Sequence, residues 1–406
     1  MVEQIIMRSG FQSTNGLAFE SIRPTAGDSF SEQVDNCIDQ LSGFIFPESV
    51  TGFYVAQQTF FISARTRTEY DDRSFLIKNK VTEICGVNLP ATSIVAQRTE
   101  SGSELVLELI CTRASETKKV HYKTNSDLNY TVVDHGDFKV VHATGLMGGQ
   151  HDSIRESAEK AFLKATAILS EEGLSIHHII RQWNYVEDIA RVEDPDRTLQ
   201  NYQVFNDVRS RFYDNGTFKH GYPAATGIGM TTGGVIIGFI AVSDADQVDV
   251  KPIRNPRQID AHRYSKAVLM GKSTGIMGEK CTPKFERGKM VFLEGKAYMY
   301  VSGTASIVGE TTLHRGDVKN QTTTTIDNIF ELFSRENQAS LGLEFDVSRI
   351  HFSHLRVYVK HQKDIPAVRS ICESRLNCKS SLYLESDICR EDLLVEIEGI
   401  FSLEAG

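Results

Sequence analysis

The chain has 406 residues, 40% apolar and 24% charged, with a formal charge of −9; this is the make-up of a globular protein too long for one ordinary core and suited to two or three. The acidic balance argues against a nucleic-acid partner, because the densest basic candidate, Lys118-Lys119, is far too short to neutralise several phosphates. No charged-then-apolar leader opens the sequence and no apolar run reaches the about 18 residues of a membrane span, so no membrane partner is expected.

Seven cysteines, odd in number and scattered, fit free thiols in a reducing compartment better than a disulfide framework, and a cytoplasmic location is expected. Taken in order, the elements fall into a faint internal repeat. In residues 1–113, Ser29 and Glu32 form a capping box that opens a helix carrying Val34, Cys37, Ile38 and Leu41 on one face. Phe53–Ser63 is β-rich, Tyr70–Cys85 reads as a second helix ended by Gly86, and Pro90-Ala91 precedes a strand at Thr92–Ala96. A turn around Gly102 leads to an apolar strand, Leu105–Cys111.

Residues 114–134 read as a connector. The segment 135–246 then repeats the order: strand Phe138–Ala143, a Ser153/Glu156 capping box opening a helix stopped by Gly173, strand Ile179–Ile189, and helix Leu199–Phe212. Pro223-Ala224 precedes a strand, and Gly233-Gly234 turns into Val235–Val242. A second connector, 247–289, is rich in Lys, Gly and Pro and long enough to fold over a site as a lid.

In the segment 290–404, Tyr298–Val301 reads as a strand and Ser302–Ser306 as a small-residue turn. Asp317 caps a helix whose buried face carries Ile326, Ile329, Phe330 and Phe333. Strand Ile350–Val359, helix Ile365–Leu376 and strands Ser380–Cys389 and Leu393–Phe401 complete it. Each segment reads β-α-β-α-β-β, and the fold class is α+β.

No P-loop, dinucleotide fingerprint or H-E-x-x-H is present, so no cofactor is expected. His351 and His354, three apart on a strand, face opposite ways and do not gather with Cys372 and Cys378 into a metal site. The last strand is more informative. Period-two alternation in Leu393-Leu-Val-Glu-Ile-Glu398 puts Leu394, Glu396 and Glu398 on one face. Two carboxylates so close repel, and one that is also desolvated in a cleft becomes a general acid near neutral pH. On a solvated face the same pair is surface charge and nothing more.

The string from Val301 to Phe333 (strand, Ser-Gly, loop, Asp, Gln-Thr, helix, Asn-Ile) resembles the RidA/YjgF superfamily. That superfamily builds trimers of chorismate-mutase-like modules, with ligand sites between subunits. The resemblance implies three such modules fused in one chain as a pseudo-trimer: 1–113 degenerate, 135–246 a substrate-binding wall, 290–404 catalytic. The wording Ser302-Gly-Thr-Ala-Ser306 with the DICR stretch ending in Arg390 and the EIEG of Glu396–Gly399 is similar to the chorismatases, which remove pyruvate from chorismate. Tyr202-Gln-Val-Phe-Asn206-Asp-Val-Arg209 and Arg181-Gln-Trp-Asn-Tyr185 resemble their facing wall.

That likeness implies the hydroxybenzoate-forming branch, with Glu396 and Cys389 catalytic and Gly303 and Thr304 in the small-residue wall. Arg209, Arg181 and Arg390 are the candidate guanidinium forks for a substrate with two carboxylates, beside Tyr202 and Tyr264. The chain departs from the family between Arg263-Tyr264-Ser265 and Pro283-Lys-Phe285-Glu-Arg287, where a central Tyr-Gly-Pro is missing. The RidA imine-hydrolase arginine after Pro-Ala is absent too, which counts against enamine deamination. The expected function is conversion of chorismate to pyruvate and a hydroxybenzoate or a dihydroxycyclohexadiene acid. The alternative is a RidA-type protein that binds small carboxylates or imines, or deaminates, without that activity. A small dicarboxylate is the expected partner, with the chain a monomeric pseudo-trimer or a higher homo-oligomer.

Overall fold

The computed structural model describes residues 12–14, 16–45, 52–100, 102–115, 117–192, 199–214, 216–269, 280–293, 295–342, 344, 346, 347, 350–376, 378 and 380–403. Three sheets carry the fold. The first contains β1 (Gln12–Thr14), β2 (Leu17–Ile22), helix α1 (Phe30–Ile45), β3 (Phe53–Ile62), helix α2 (Arg67–Cys85), β4 (Ala91–Val95), β5 (Arg98–Thr99) and β6 (Leu105–Arg113). Its strand order is β1-β2-β6-β3-β4, while β5 leaves to join the third sheet. The Ser29/Glu32 box is made at the start of α1, where the Glu32 amide donates to Ser29 Oγ and Glu32 Oε2 accepts from the Ser29 amide. Thr66, which sequence reasoning passed over, caps α2.

The second sheet is built from β7 (Lys119–Asn125), β8 (Leu128–Asp134), β9 (Lys139–Met147), helix α3 (Ile154–Glu171), β10 (Ile179–Glu187), helix α4 (Asn201–Tyr213), β11 (Ala224–Met230) and β12 (Val235–Val242). Residues 114–134 are therefore no plain connector: β7 and β8 form a hairpin that widens the sheet, in the order β11-β10-β12-β9-β8-β7. The third sheet takes β13 (Val248–Ile253), β14 (Gly288–Leu293) and β15 (Lys296–Ala305). After the small β16 (Ile307–Val308) and β17 (Thr311–Thr312) come helices α5 (Val318–Glu331) and α6 (Arg335–Leu341). Then follow β18 (Ile350–Val359), helix α7 (Ile365–Leu376), β19 (Ser381–Glu385) and β20 (Val395–Leu403). The order is β13-β14-β15-β20-β18-β19-β5.

Two further corrections concern the third segment. Ser302–Ala305 is not a turn but the end of β15, bulged between Val301 and Thr304 where it pairs β20. The 247–289 connector supplies β13 and the start of β14, and the middle of the stretch expected as a lid lies outside the described residues.

Within each sheet one strand order recurs, with two antiparallel pairings and then a parallel one: β2-β6-β3-β4, β9-β12-β10-β11 and β15-β20-β18-β19. The pairing of β3 with β6, β10 with β12 and β18 with β20 is bulged near the start of β3, β10 and β18 in turn. Past the bulge the register sets Glu108 opposite Thr59, Gly238 opposite Trp183 and Glu398 opposite Arg356. Helices cover the outer face of each sheet, as α3 does on β9 and β12 and α5 on β15 and β20. The inner faces meet: β4 packs against β9, β11 against β15, and β18 against β2.

A charged network fills the middle of that junction. Arg356 donates from Nε to Glu108 (2.7 Å) and from Nη1 to Glu398 (3.1 Å) and to the Tyr185 hydroxyl (2.8 Å). Arg181 donates to Glu398 (2.5 Å), as does the Trp183 indole (2.8 Å), and His354 lies 2.7 Å from Glu108. Two carboxylates and two guanidinium groups balance, which is the condition for burying charge without a large desolvation loss.

Candidate active site

One cleft opens where β11 meets β15. Its floor is the near end of β20, whose inner face carries Glu396 and Glu398 as the alternation requires; both are buried. The two carboxylates diverge. Burial alone would raise the Glu398 carboxyl, but Arg181 and Arg356 overcome it and hold it below its ordinary range. Glu396 is pushed up to about 8, first by burial and then by the Glu398 charge, with Arg181 and Arg287 pulling weakly the other way. At pH 7 a carboxyl of that kind is about nine-tenths protonated, so the cleft holds an acid with a proton to give.

The β15 wall is cut to fit that acid. A Cβ on Gly303 would stand 2.0 Å from Glu396 Oε1 and 3.1 Å from the Thr226 methyl, so any other residue here has to displace the carboxyl. The Gly303 amide donates to Thr226 Oγ1 (3.0 Å), and the Ala225 amide to Ser302 Oγ (2.9 Å), which ties β15 to β11 across the junction. Ala225, Gly227 and Ala305 continue the small-residue wall. Tyr202, from the first turn of α4, lies over Gly227, where a Cβ would meet its ring at 2.7 Å.

The cationic side comes from elsewhere. Arg287, buried, donates to the Ile259 carbonyl (2.6 Å) and the Tyr264 hydroxyl (2.7 Å), and its Nε meets no described acceptor. Arg390 donates to the Glu310 carbonyl (2.8 Å) and stacks over the Tyr264 ring. Cys389 lines the same cleft; burial first, then the Glu396 charge, pushes its thiol up to about 12, so it is a neutral thiol and no thiolate nucleophile. About 730 Å³ of empty space lies within these walls when the open mouth is counted.

Of the residues singled out from sequence, the cleft gathers Glu396, Cys389, Tyr202, Gly303, Arg390 and Tyr264. Three are placed outside its lining. Arg181 is spent on Glu398 and Thr226, Arg209 lies beneath the wall and donates to Asn206 (2.6 Å), and Thr304 donates to the Ser302 carbonyl. Sequence reasoning noted Arg287 only as the end of a motif, yet it is a buried guanidinium that lines the cleft. The signal was its place two residues after Phe285, on the far flank of the connector. Gln203 and Asn206, one turn apart on α4, also line the cleft; both stand in the stretch likened to the facing wall, but neither was singled out from it. No group of His, Cys, Asp and Glu among the described residues is arranged to hold a metal ion.

The geometry is that of an α+β protein with a buried acid and two arginines in a cleft between sheets. A family model described as "Chorismatase FkbO/Hyg5-like, N-terminal" matches residues 112–241. A chorismatase of Streptomyces rapamycinicus is 32% identical over 305 residues, 69% of this chain and 85% of that one. A 3-hydroxybenzoate synthase of Streptomyces hygroscopicus is 32% identical over 253 residues, 60% of this chain and 69% of its own. A chorismatase crystal structure aligns over 96% of this chain and 99% of its own at a TM-score of 0.66 and 23% identity, which establishes likeness of fold. The chain belongs to the chorismatase family. No helix among the described residues is long and apolar enough to cross a membrane.

Proposed function

We propose that the protein cleaves chorismate to pyruvate and a hydroxybenzoate in the cleft between β11 and β15. The observation that carries this reading is Glu396, a carboxyl kept protonated by burial and set against Gly303 within reach of two arginines. Arg287 and Arg390 supply charge-assisted hydrogen bonds to the two substrate carboxylates. Glu396 gives its proton to the enolpyruvyl ether and takes one back as the ring loses pyruvate. Departure of pyruvate without water leaves a hydroxybenzoate; capture of a water leaves a dihydroxycyclohexadiene acid. The neutral Cys389 thiol and the apolar Leu393 and Ile307 favour the first outcome by keeping that side of the cleft poor in water. The curated relatives favour the enzymatic reading over that of a non-catalytic carboxylate binder. The test is pure protein with chorismate and a coupled pyruvate assay; release no faster than the spontaneous background at neutral pH sinks the proposal.

We further infer that residues 1–113, 135–246 and 290–404 are three RidA-like modules fused as a pseudo-trimer, with the described flanks of 247–289 forming part of the catalytic cleft. The shared strand order, the bulge repeated in all three sheets and the cyclic junctions support it. Tyr264, Phe285 and Arg287 reach the cleft from both described flanks of that connector. A cytoplasmic setting accords with seven free thiols.

A further inference from the structure

A second cavity lies on the same inner surface, beyond the charged network. It is ringed by Ile110, Ile240 and Ile400, one from each sheet, and the register sets Phe19, His142 and Tyr300 opposite them. The space is a narrow slot, with about 560 Å³ empty when its mouth is counted. Isoleucine, phenylalanine and tyrosine side chains give it flat apolar walls. Lys118, Lys296, His135 and His142 also line it, and no acidic side chain does among the described residues. Burial first and then the Lys118 charge hold His142 neutral, so the lysines carry the charge of this lining in a chain whose net charge is −9.

His142 is the second observation. It is 3% exposed, and its Nδ1 meets no partner among the described residues. A buried polar atom left unpaired is destabilising, and a ligand atom in the slot removes that penalty. Lys296, half-buried, forms no ion pair with a described carboxylate. The apolar side chains suit a flat ring, and the lysines and the imidazole suit an anion.

We propose that this slot is a second small-molecule site, which takes a monocarboxylate with a flat apolar body. The ring stacks among the three isoleucines, Phe19 and Tyr300, and the carboxylate meets Lys296 and the imidazole of His142. The slot is separate from the Glu396 cleft: the two share no lining residue, and the ion pairs of Glu398 and Glu108 stand between Glu396 and Ile400. The proposal does not depend on which reaction the cleft performs.

Benzoate is the probe, titrated by calorimetry into the full-length protein, with benzamide as its uncharged counterpart. Ile240→Trp fills the slot, and Lys296→Met removes the charge with little change in bulk; neither residue lines the Glu396 cleft. The expected result is saturable benzoate binding that weakens at least about tenfold in Lys296→Met, as the loss of one charge-assisted hydrogen bond requires. Benzamide binding is unchanged in that variant, and turnover of chorismate is kept. Ile240→Trp loses both ligands; where it fails to fold, Lys296→Met alone decides. Benzoate held only in the Glu396 cleft survives both substitutions, and that result overturns the proposal. So does an absence of saturable binding, or an equal loss of benzoate and benzamide in Lys296→Met.

Discussion

Replacing Glu396 by glutamine is expected to raise stability at alkaline pH while removing activity. In the folded chain this carboxyl titrates at about 8 instead of the ordinary 4.5. Below pH 4.5 it is protonated in both folded and unfolded states and contributes no pH dependence. Above it the unfolded state ionises while the folded state keeps its proton, so wild-type stability falls as pH rises, until the folded group ionises as well. The full effect, from the two titration points, is about 5 kcal/mol. With an unfolding entropy of about 2.1 cal/mol/K per residue, this is a Tm difference of about 6 °C for a chain of this length. Glutamine has the shape and the buried position without the titration. Melting both proteins from pH 4.5 to 9 is the assay, and the variant should gain on wild type up to about pH 8 and level off above it. A Tm difference that does not change with pH would mean that Glu396 titrates normally, and the argument for a protonated acid in the cleft would fail. The rate follows the same group: turnover by wild type should decline above about pH 8, where the acid form is lost.

Gly303→Ala puts a methyl into the Glu396 carboxyl; a displaced acid of this kind lowers kcat by about 10²-fold, measurable with chorismate while circular dichroism stays unchanged. Arg287→Met should raise KM for chorismate by about 10–100-fold, the worth of a charge-assisted hydrogen bond, with a smaller effect on kcat. Glu108→Gln leaves Arg356 and His354 without their carboxylate, and a broken buried pair costs about 3–5 kcal/mol. Burial would raise Glu108, but Arg356 and His354 more than offset it and depress its titration. The stability it confers is therefore present above pH 4.5 and is lost as pH falls below that value. Thermal melts should accordingly show wild type losing Tm faster than Glu108→Gln on acidification from pH 5 to 3.

Local signals made much of the architecture legible. Val235–Val242, Ile350–Val359 and Ile365–Leu376 stand where the pattern placed them, and the Ser153/Glu156 box is made as written, because apolar period and capping chemistry act within a few residues. The Lys119–Asp134 hairpin was missed for its polarity, although Val120, Tyr122 and Thr124 alternate and Ser126 takes the positive φ of its tight turn. Ser302–Ala305 looked like a turn because small residues mark turns; here they are small because a strand must pass Glu396. Same-face carboxylates were readable, but not their opposite fates. Those depend on Arg181 and Arg356, which arrive from β10 and β18. Long-range partners of this sort leave no mark in local spacing, so it could not show that Arg181 is bound to Glu398 while Arg287 lines the cleft.

The most direct test is pyruvate release from chorismate at pH 7 by wild type and by Glu396→Gln, side by side at equal concentration. The structure predicts turnover by wild type and a loss of about 10²–10⁴-fold in the variant, the worth of a general acid, with the fold unchanged. An inert wild type, or a variant that keeps the wild-type rate, contradicts the account.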